Sequence, residues 1–361
     1  MKWSLFVGKY FGIKVKIHWT FLILIGWIVV SELNRGSDWS QVGLTVLFVL
    51  SIFLCVLLHE FGHALTAQKY NIATTKITLL PIGGLASLER IPDNPKHELW
   101  ITAAGPAVNV VIALILYLIL PFDIEAYQQF AMDGIFTPRY FIYSLFAVNV
   151  ILVVFNLIPA FPMDGGRILR ALLAFKLGRI KATSIASSIG QFIAVIFTIL
   201  GLFYNPFLLF IGFFVFLGAY AENITVQNLE FLKGYRVKDA MMTKFGLLKP
   251  EQTINDALNA MLSGTDHDFI IATDNEEVIG SLSRKQLLAS LKDHLPQDKL
   301  SDIMNKDFFA VNESDRLDQL FTMIQRNGET LIPVVKNGKL VGAINMENIN
   351  EFIMIQSALH Y

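Results

Sequence analysis

The chain has 361 residues, 54% hydrophobic and 16% charged, with a mean hydropathy of +0.52, which excludes an ordinary soluble enzyme and reads as an integral membrane protein. A net charge of −1 argues against a nucleic-acid partner, which needs a basic face. The single cysteine, Cys55, excludes an intramolecular disulfide and a multi-cysteine zinc site, and its neighbours make it a small apolar helix residue.

The opening MKWSLFVGKYFGIKVKIHW lacks a small-residue cleavage site, so the apolar run after it is expected to stay as a span. Six stretches cross or nearly cross a bilayer, near 17–31, 41–68, 98–120, 139–160, 183–203 and 206–222; each crossing needs about 20 residues. Charge then changes density: 26 of the first 225 residues are Lys, Arg, Asp or Glu, against 33 of the remaining 136. A membrane domain over 1–225 followed by a soluble domain over 226–361 is the expected organisation.

Orientation follows from where Lys and Arg collect. With the N-terminus inside, the inner segments hold 13 of them: Lys2, Lys9, Lys14, Lys16, Lys69, Lys76, Arg90, Lys96, Arg167, Arg170, Lys176, Arg179 and Lys181. The outer loops hold only Arg35 and Arg139, beside acidic Asp123, Glu125 and Asp133. Both termini, and the soluble domain, are expected on the cytoplasmic side.

The second stretch contains LCVLLHEFGHALTAQ, residues 54–68. His59 and His63 are four apart, so on a helix they share one face and both imidazoles reach one metal ion. Glu60 points beside that ion, where it can take a proton from water; this is the H-E-x-x-H arrangement. The bland alternative is a buried polar helix, but an idle His-Glu-His trio is costly in hydrocarbon. Two histidines leave a catalytic zinc site one protein ligand short. Asp164, in FNLIPAFPMDGGR at 155–167, is the candidate third ligand. The second and fourth spans run in the same direction, so it falls at the same membrane depth. Its alternative is a turn or capping aspartate in a D-G-G loop.

HEFGH together with NLIPAFPMDGGR resembles the site-2 protease family of intramembrane zinc metalloproteases. GIKVKIHWTF, LPIGGLASLER and the GPAVN at 105–109 match as well, in the family's order, over most of residues 8–175. The resemblance implies that His59, His63 and Asp164 bind one zinc ion and that Glu60 is the catalytic base. Zinc would activate water and Glu60 would shuttle its proton to the leaving amine. Asn109 and Asn156 are candidates for oxyanion or substrate-backbone donors, their alternative being helix caps or interhelical glue. Gly83 and Gly84, in LLPIGGLASLE, would belong to a membrane-embedded hairpin whose edge holds an extended substrate. His18, beside Trp19, reads as an interfacial pair, His97 as solvated surface, and FLLFIGFFVF as lipid-facing or packing surface.

Residues 236–361 contain an internal repeat of about 62 residues. RVKDAMMTKF aligns with KLSDIMNKDF and EEVIGSLSRKQLL with GKLVGAINMENIN, each half reading strand, helix, strand, strand, helix. The pattern is similar to a tandem pair of cystathionine-β-synthase-type (CBS) domains, near 236–295 and 298–355. Such pairs commonly bind adenine nucleotides and regulate an attached activity. Here Gln286 and Asn348 stand where the family carries its ribose-binding Asp, and only Ser283 keeps the hydroxyl. Nucleotide binding therefore competes with a dimerisation or docking role.

The expected fold is a polytopic α-helical membrane domain of about six spans with a small membrane-associated β-hairpin, followed by an α/β cytoplasmic CBS pair. The expected function is an intramembrane zinc metalloprotease that cleaves a transmembrane segment of another membrane protein in regulated intramembrane proteolysis. One zinc ion, an adenine nucleotide, the bilayer and a second copy through the CBS pair are the accompanying expectations. The competing readings are a catalytically silent scaffold that keeps the fold, against which the intact four residues argue, and a metal transporter, which would repeat ionisable ligands along several spans.

Overall fold

The computed structural model describes residues 4–81, 83–88, 92, 94–119, 138–264, 266–327 and 330–359. Lys2, Arg90, Asp123, Glu125 and Asp133, used in the orientation argument, lie outside them. The chain forms two compact units, Met1–Ile224 and Thr225–Tyr361.

The first unit opens with a sheet that the sequence reading had only in part. Strands β1 (Ser4–Tyr10) and β2 (Ile13–His18) form an antiparallel hairpin. Its turn residues Phe11 and Gly12 both have positive φ, 51° and 82°, the handedness that two-residue hairpin turns need. Strand β3 (Thr74–Leu80) joins β2 in parallel, and β4 (Gly83–Leu88) pairs antiparallel with β3, so the order is β1-β2-β3-β4. The expected lone hairpin is thus half of a four-stranded sheet. The parallel β2–β3 pairing joins residues about sixty positions apart, which no local pattern announces.

The sheet is fastened to the helix that carries the histidines. Ile13 and Ile77 are fully buried against Ala64, with Leu57, Phe61 and Leu65 around them. That helix, α2 (Trp39–Lys69), starts where the Asp38 carboxylate accepts from the Gln41 amide at 2.9 Å, and its chain turns away at Asn71, with φ 57°.

Among the described residues, five helices are long and apolar enough to cross a membrane: α2, then Pro95–Ile119 (α3), Tyr140–Leu157 in Pro138–Leu157 (α4), Arg179–Phe203 (α6) and Pro206–Leu232 (α7). The stretch read as a first span differs. Ile17 and His18 finish β2, and the helix α1 (Thr20–Asn34) has only 15 residues, about 22 Å against a hydrocarbon core of about 30 Å. Between α4 and α6 lies the shorter helix α5 (Asp164–Leu177). Small residues set the helix contacts, as expected where lipid supplies no hydrophobic drive. A Cβ on Gly62 would lie 2.7 Å from the Ala104 carbonyl oxygen, and Ser187 Oγ donates to the Ala219 carbonyl at 2.7 Å.

One buried ion cluster ties three of these elements together. Arg170 on α5 donates through Nε to Glu98 on α3 at 2.8 Å and through Nη1 to Glu222 on α7 at 2.5 Å. Its guanidinium also lies 5.1 Å from the Phe161 ring centroid. The three residues bring one positive and two negative charges into a site where Arg170 and Glu98 are 1% and 4% exposed.

The second unit has two three-stranded sheets, one per repeat. Leu247–Leu248, Phe269–Ala272 and Val278–Leu282 form the first; Val311–Asn312, Ile332–Lys336 and Lys339–Ile344 form the second. Each repeat follows the expected order strand, helix, strand, strand, helix, preceded by a one-turn helix. The leading segments cross over. Met242 bridges to Ala343 and Asn305 to Ser281, Val237 is buried in the second repeat's core, and Leu300 in the first's. This exchange knits the repeats into one body and is invisible in the repeat alignment.

Candidate metal centre

The α2 helix delivers His59 and His63 one turn apart, and Asp164 comes from the first residue of α5, where the sequence reading had a D-G-G loop. His59 Nε2 lies 3.2 Å from Asp164 Oδ2, His63 Nε2 3.1 Å from the same oxygen, and the two Nε2 atoms 3.0 Å apart. This is the one group of three or more His, Cys, Asp or Glu among the described residues that has metal-ligand spacing, and all three are buried. A tetrahedral zinc with ligand bonds of about 2.0–2.1 Å needs donors about 3.3 Å apart, so the observed triangle fits.

The outer ring nitrogens decide what the inner ones present. His63 Nδ1 is 2.8 Å from the Ile101 carbonyl oxygen, which only accepts, so Nδ1 carries the hydrogen. His59 Nδ1 lies 2.5 Å from Asn109 Oδ1. In their neutral form both imidazoles therefore aim a bare Nε2 lone pair at the Asp164 carboxylate, and three acceptors then converge on one space, an arrangement that suits a cation.

The glycines around the centre are required by close approach. A Cβ on Gly105 would collide with His63 Nε2 and lie 2.7 Å from His59 Nε2, so only glycine leaves that space free. Gly165 and Gly166 let the start of α5 nest beneath the preceding loop, where added Cβ atoms would meet the backbones of Leu157 and Ala160 at 2.5 and 2.6 Å.

Glu60 is half-buried and has no hydrogen bond or ion pair among the described residues. Gly84 lies directly over it: a Cβ there would be 2.5 Å from Glu60 Cγ and 3.0 Å from Oε1. Gly83, with φ 137°, occupies a conformation that favours glycine and begins β4, the sheet's edge strand.

The remaining sequence candidates fall in several places. Asn109 is completely buried, and both ends of its amide are engaged: Oδ1 faces His59 and Nδ2 donates to Asn149 Oδ1 at 2.9 Å. Asn156 donates to the Leu152 carbonyl of its own helix at 2.9 Å. His18 Nδ1 pairs with Thr20 Oγ1 at 2.8 Å at the start of α1. His97, read as solvated surface, instead stacks on Tyr70, with ring centroids 4.1 Å apart; the two helix ends on which they sit are neighbours only after folding. Asn149, Gly105 and the Arg170 cluster were missed in the sequence reading. A polar Asn149 inside an apolar helix was a signal available for the first.

In the second unit, Ser283 caps the helix Arg284–Ser290, and its hydroxyl donates to Gln286 Oε1 at 2.9 Å. Gln286, where the CBS pattern has Asp, is thus the third residue of a capping box. Ser283 lines a cavity of about 660 Å³ with Ser281, Arg284, Lys285, Asn305 and Thr330. Asn348 Oδ1, at the equivalent position of the second repeat, is buried with no hydrogen-bond partner among the described residues.

The family model described as Peptidase family M50 matches residues 47–200, and the CBS domain model matches 237–293 and 300–355. A zinc metalloprotease from Methanocaldococcus jannaschii is 33% identical over 354 residues, covering 97% of this chain and 96% of the relative. A putative zinc metalloprotease from Synechocystis is 24% identical, covering 98% and 96%. The solved site-2 protease from M. jannaschii is 36% identical, covering 61% of this chain and 95% of that one, with a TM-score of 0.44. Identity that runs the length of a zinc metalloprotease, with the two family models, places this chain in peptidase family M50, the site-2 proteases, with a tandem CBS pair after the membrane domain.

Proposed function

We propose that this zinc metalloprotease hydrolyses a peptide bond in or near a transmembrane segment of a membrane protein, with His59, His63 and Asp164 as its metal ligands and Glu60 as its general base. The observation that carries the reading is the convergence of three potential ligand atoms, His59 Nε2, His63 Nε2 and Asp164 Oδ2, within 3.0–3.2 Å of one another. Zinc held by His59, His63 and Asp164 would supply Lewis acidity and lower the pKa of water to about 7. Glu60, unpaired and beside the ligands, accepts the proton of the attacking water and returns it to the leaving amine nitrogen as the peptide bond breaks.

Among the described residues β4 is an edge strand, it passes next to Glu60, and the bare Gly84 lets another backbone come close. A substrate unwound into an extended strand adds to that edge through main-chain hydrogen bonds, bringing its scissile bond to Glu60. Asn109 serves the site by holding His59 rather than by binding an oxyanion, since neither end of its amide is free.

Residues 1–225 form the protease domain and 226–361 the regulatory one, with both termini and the CBS pair in the cytoplasm, as the Lys and Arg distribution supports. The 660 Å³ cavity, with Arg284 and Lys285 at its wall, has the size of a small-ligand pocket and suits an adenine nucleotide. Ser283 and Gln286 contribute there as a helix cap. Calorimetry of the full chain with ATP and AMP tests this part; no heat at millimolar ligand removes it.

For the centre itself, purified wild-type protein is expected to hold one zinc per chain. His63→Ala and Asp164→Ala are expected to lose both the metal and cleavage of a transmembrane peptide. Full zinc content in both variants overturns the ligand assignment.

A further inference from the structure

Behind His59 runs a chain of buried amides whose far end is fixed. Asn149, on the helix Pro138–Leu157, is completely buried, and its Nδ2 donates to the Leu145 carbonyl at 2.8 Å and lies 3.5 Å from Cys55 Sγ. A carbonyl oxygen only accepts, so this contact fixes which end of the Asn149 amide is nitrogen. Asn149 Oδ1 must then face Asn109, which donates to it through Nδ2 at 2.9 Å. That leaves Asn109 Oδ1, and not its nitrogen, at 2.5 Å from His59 Nδ1. Turned by 180°, the Asn109 amide would offer hydrogens to His59 Nδ1. The imidazole would then keep its hydrogen on Nε2, facing Asp164 and His63, where no ligand can carry one.

We infer that Asn149 is a positioning residue for the metal centre: it orients the Asn109 amide and thereby sets the tautomer in which His59 Nε2 is free to bind metal. The inference rests on the reading of His59 as a ligand. Nothing else buried around Asn109 performs this sorting, because among the described residues its amide meets only His59 and Asn149. His63 has no such relay; its Nδ1 meets the Ile101 carbonyl directly, whose direction the α3 backbone fixes.

The test uses the full-length protein in detergent, with zinc affinity measured by chelator competition and the d–d spectrum of the cobalt(II) form as a second readout. Asn149→Leu keeps the branched shape with some added bulk and removes the acceptor, and Asn149→Ala removes it without added bulk. Both are expected to weaken zinc binding about 10- to 100-fold, the range for loss of a partner behind a metal ligand, and to alter the cobalt spectrum. Asn149→Asp, neutral when its buried carboxyl is protonated, still accepts from Asn109 and donates to Leu145, and is expected to restore wild-type behaviour.

A second background separates orientation from packing. Asp at position 109 presents an acceptor to His59 whichever way it turns, so Asn149→Leu should weaken zinc binding no further in an Asn109→Asp background. An unchanged affinity in Asn149→Leu and Asn149→Ala, or an equal loss in both backgrounds, overturns the inference while leaving the metal centre standing. A wild-type chain without zinc, or His59→Ala binding it as tightly as wild type, overturns the ligand reading and the inference with it.

Discussion

Replacing Gly105 by alanine adds one methyl group at the most crowded point of the centre. The new Cβ would stand 2.7 Å from His59 Nε2 and closer still to His63 Nε2, where ordinary carbon contacts begin at about 3.5 Å. His59 would have to withdraw by roughly 0.8 Å, yet its far side is held 2.5 Å from Asn109 Oδ1, and His63 is held 2.8 Å from the Ile101 carbonyl. Metal–ligand distances tolerate only about ±0.2 Å, so at least one histidine leaves the centre. We expect zinc affinity to fall at least about 100-fold, or about 2.8 kcal/mol. Helix propensity works in the opposite direction, favouring alanine over glycine by about 1 kcal/mol, so the loss cannot come from a weaker α3. Chelator competition and metal analysis of the purified variant measure the effect. A Gly105→Ala protein with one zinc at wild-type affinity would refute the placement of α3 against the two imidazoles.

Three further outcomes follow from other parts of the structure. Gly84→Val puts a branched side chain on the Glu60 carboxylate and is expected to lower cleavage about 100-fold, the scale of a 1 Å misplacement, with zinc content unchanged; loss of zinc in step with activity would contradict it. Arg170→Met leaves Glu98 buried without its counter-charge and is expected to cost about 3–5 kcal/mol, read as a large fall in the unfolding temperature of the detergent-solubilised protein. In the second unit, the capping box with Thr253 holds the Asp256 carboxyl below the ordinary carboxylate range. Its stabilisation is complete above the unfolded-state pKa of about 3.9 and is lost as pH falls through the lower folded value. Asp256→Asn should flatten the acid limb of the stability–pH curve, and an unchanged limb would count against the box.

Much of the centre was legible because helix pitch is a strong rule. Four-residue spacing puts His59 and His63 on one face, and hydrocarbon makes any polar residue conspicuous. Asp164 was reachable because the two spans run in the same direction. The roles of Asn109 and Gly105 were not legible, since both depend on how closely α3 approaches α2, and that approach is set by missing side chains at Gly62 and Gly105. The four-stranded sheet was half seen because β3 and β4 are joined by a local turn, whereas β2 reaches β3 across the whole of α1 and α2. Likewise the CBS repeat was plain in the alignment, but the exchange that buries Val237 in one repeat and Leu300 in the other is a long-range packing choice. Arg170 read as one more cytoplasmic cation, because nothing local tells a buried guanidinium from a solvated one.

The central claim is that Glu60 moves the proton at a zinc centre formed by His59, His63 and Asp164. Glu60→Gln in liposomes, with a transmembrane peptide substrate and zinc measured on the same sample, tests it most directly. The account predicts one zinc per chain and no cleavage, while the wild-type protein cleaves under the same conditions and stops when the metal is chelated. Cleavage by Glu60→Gln at the wild-type rate, with its zinc in place, would contradict it.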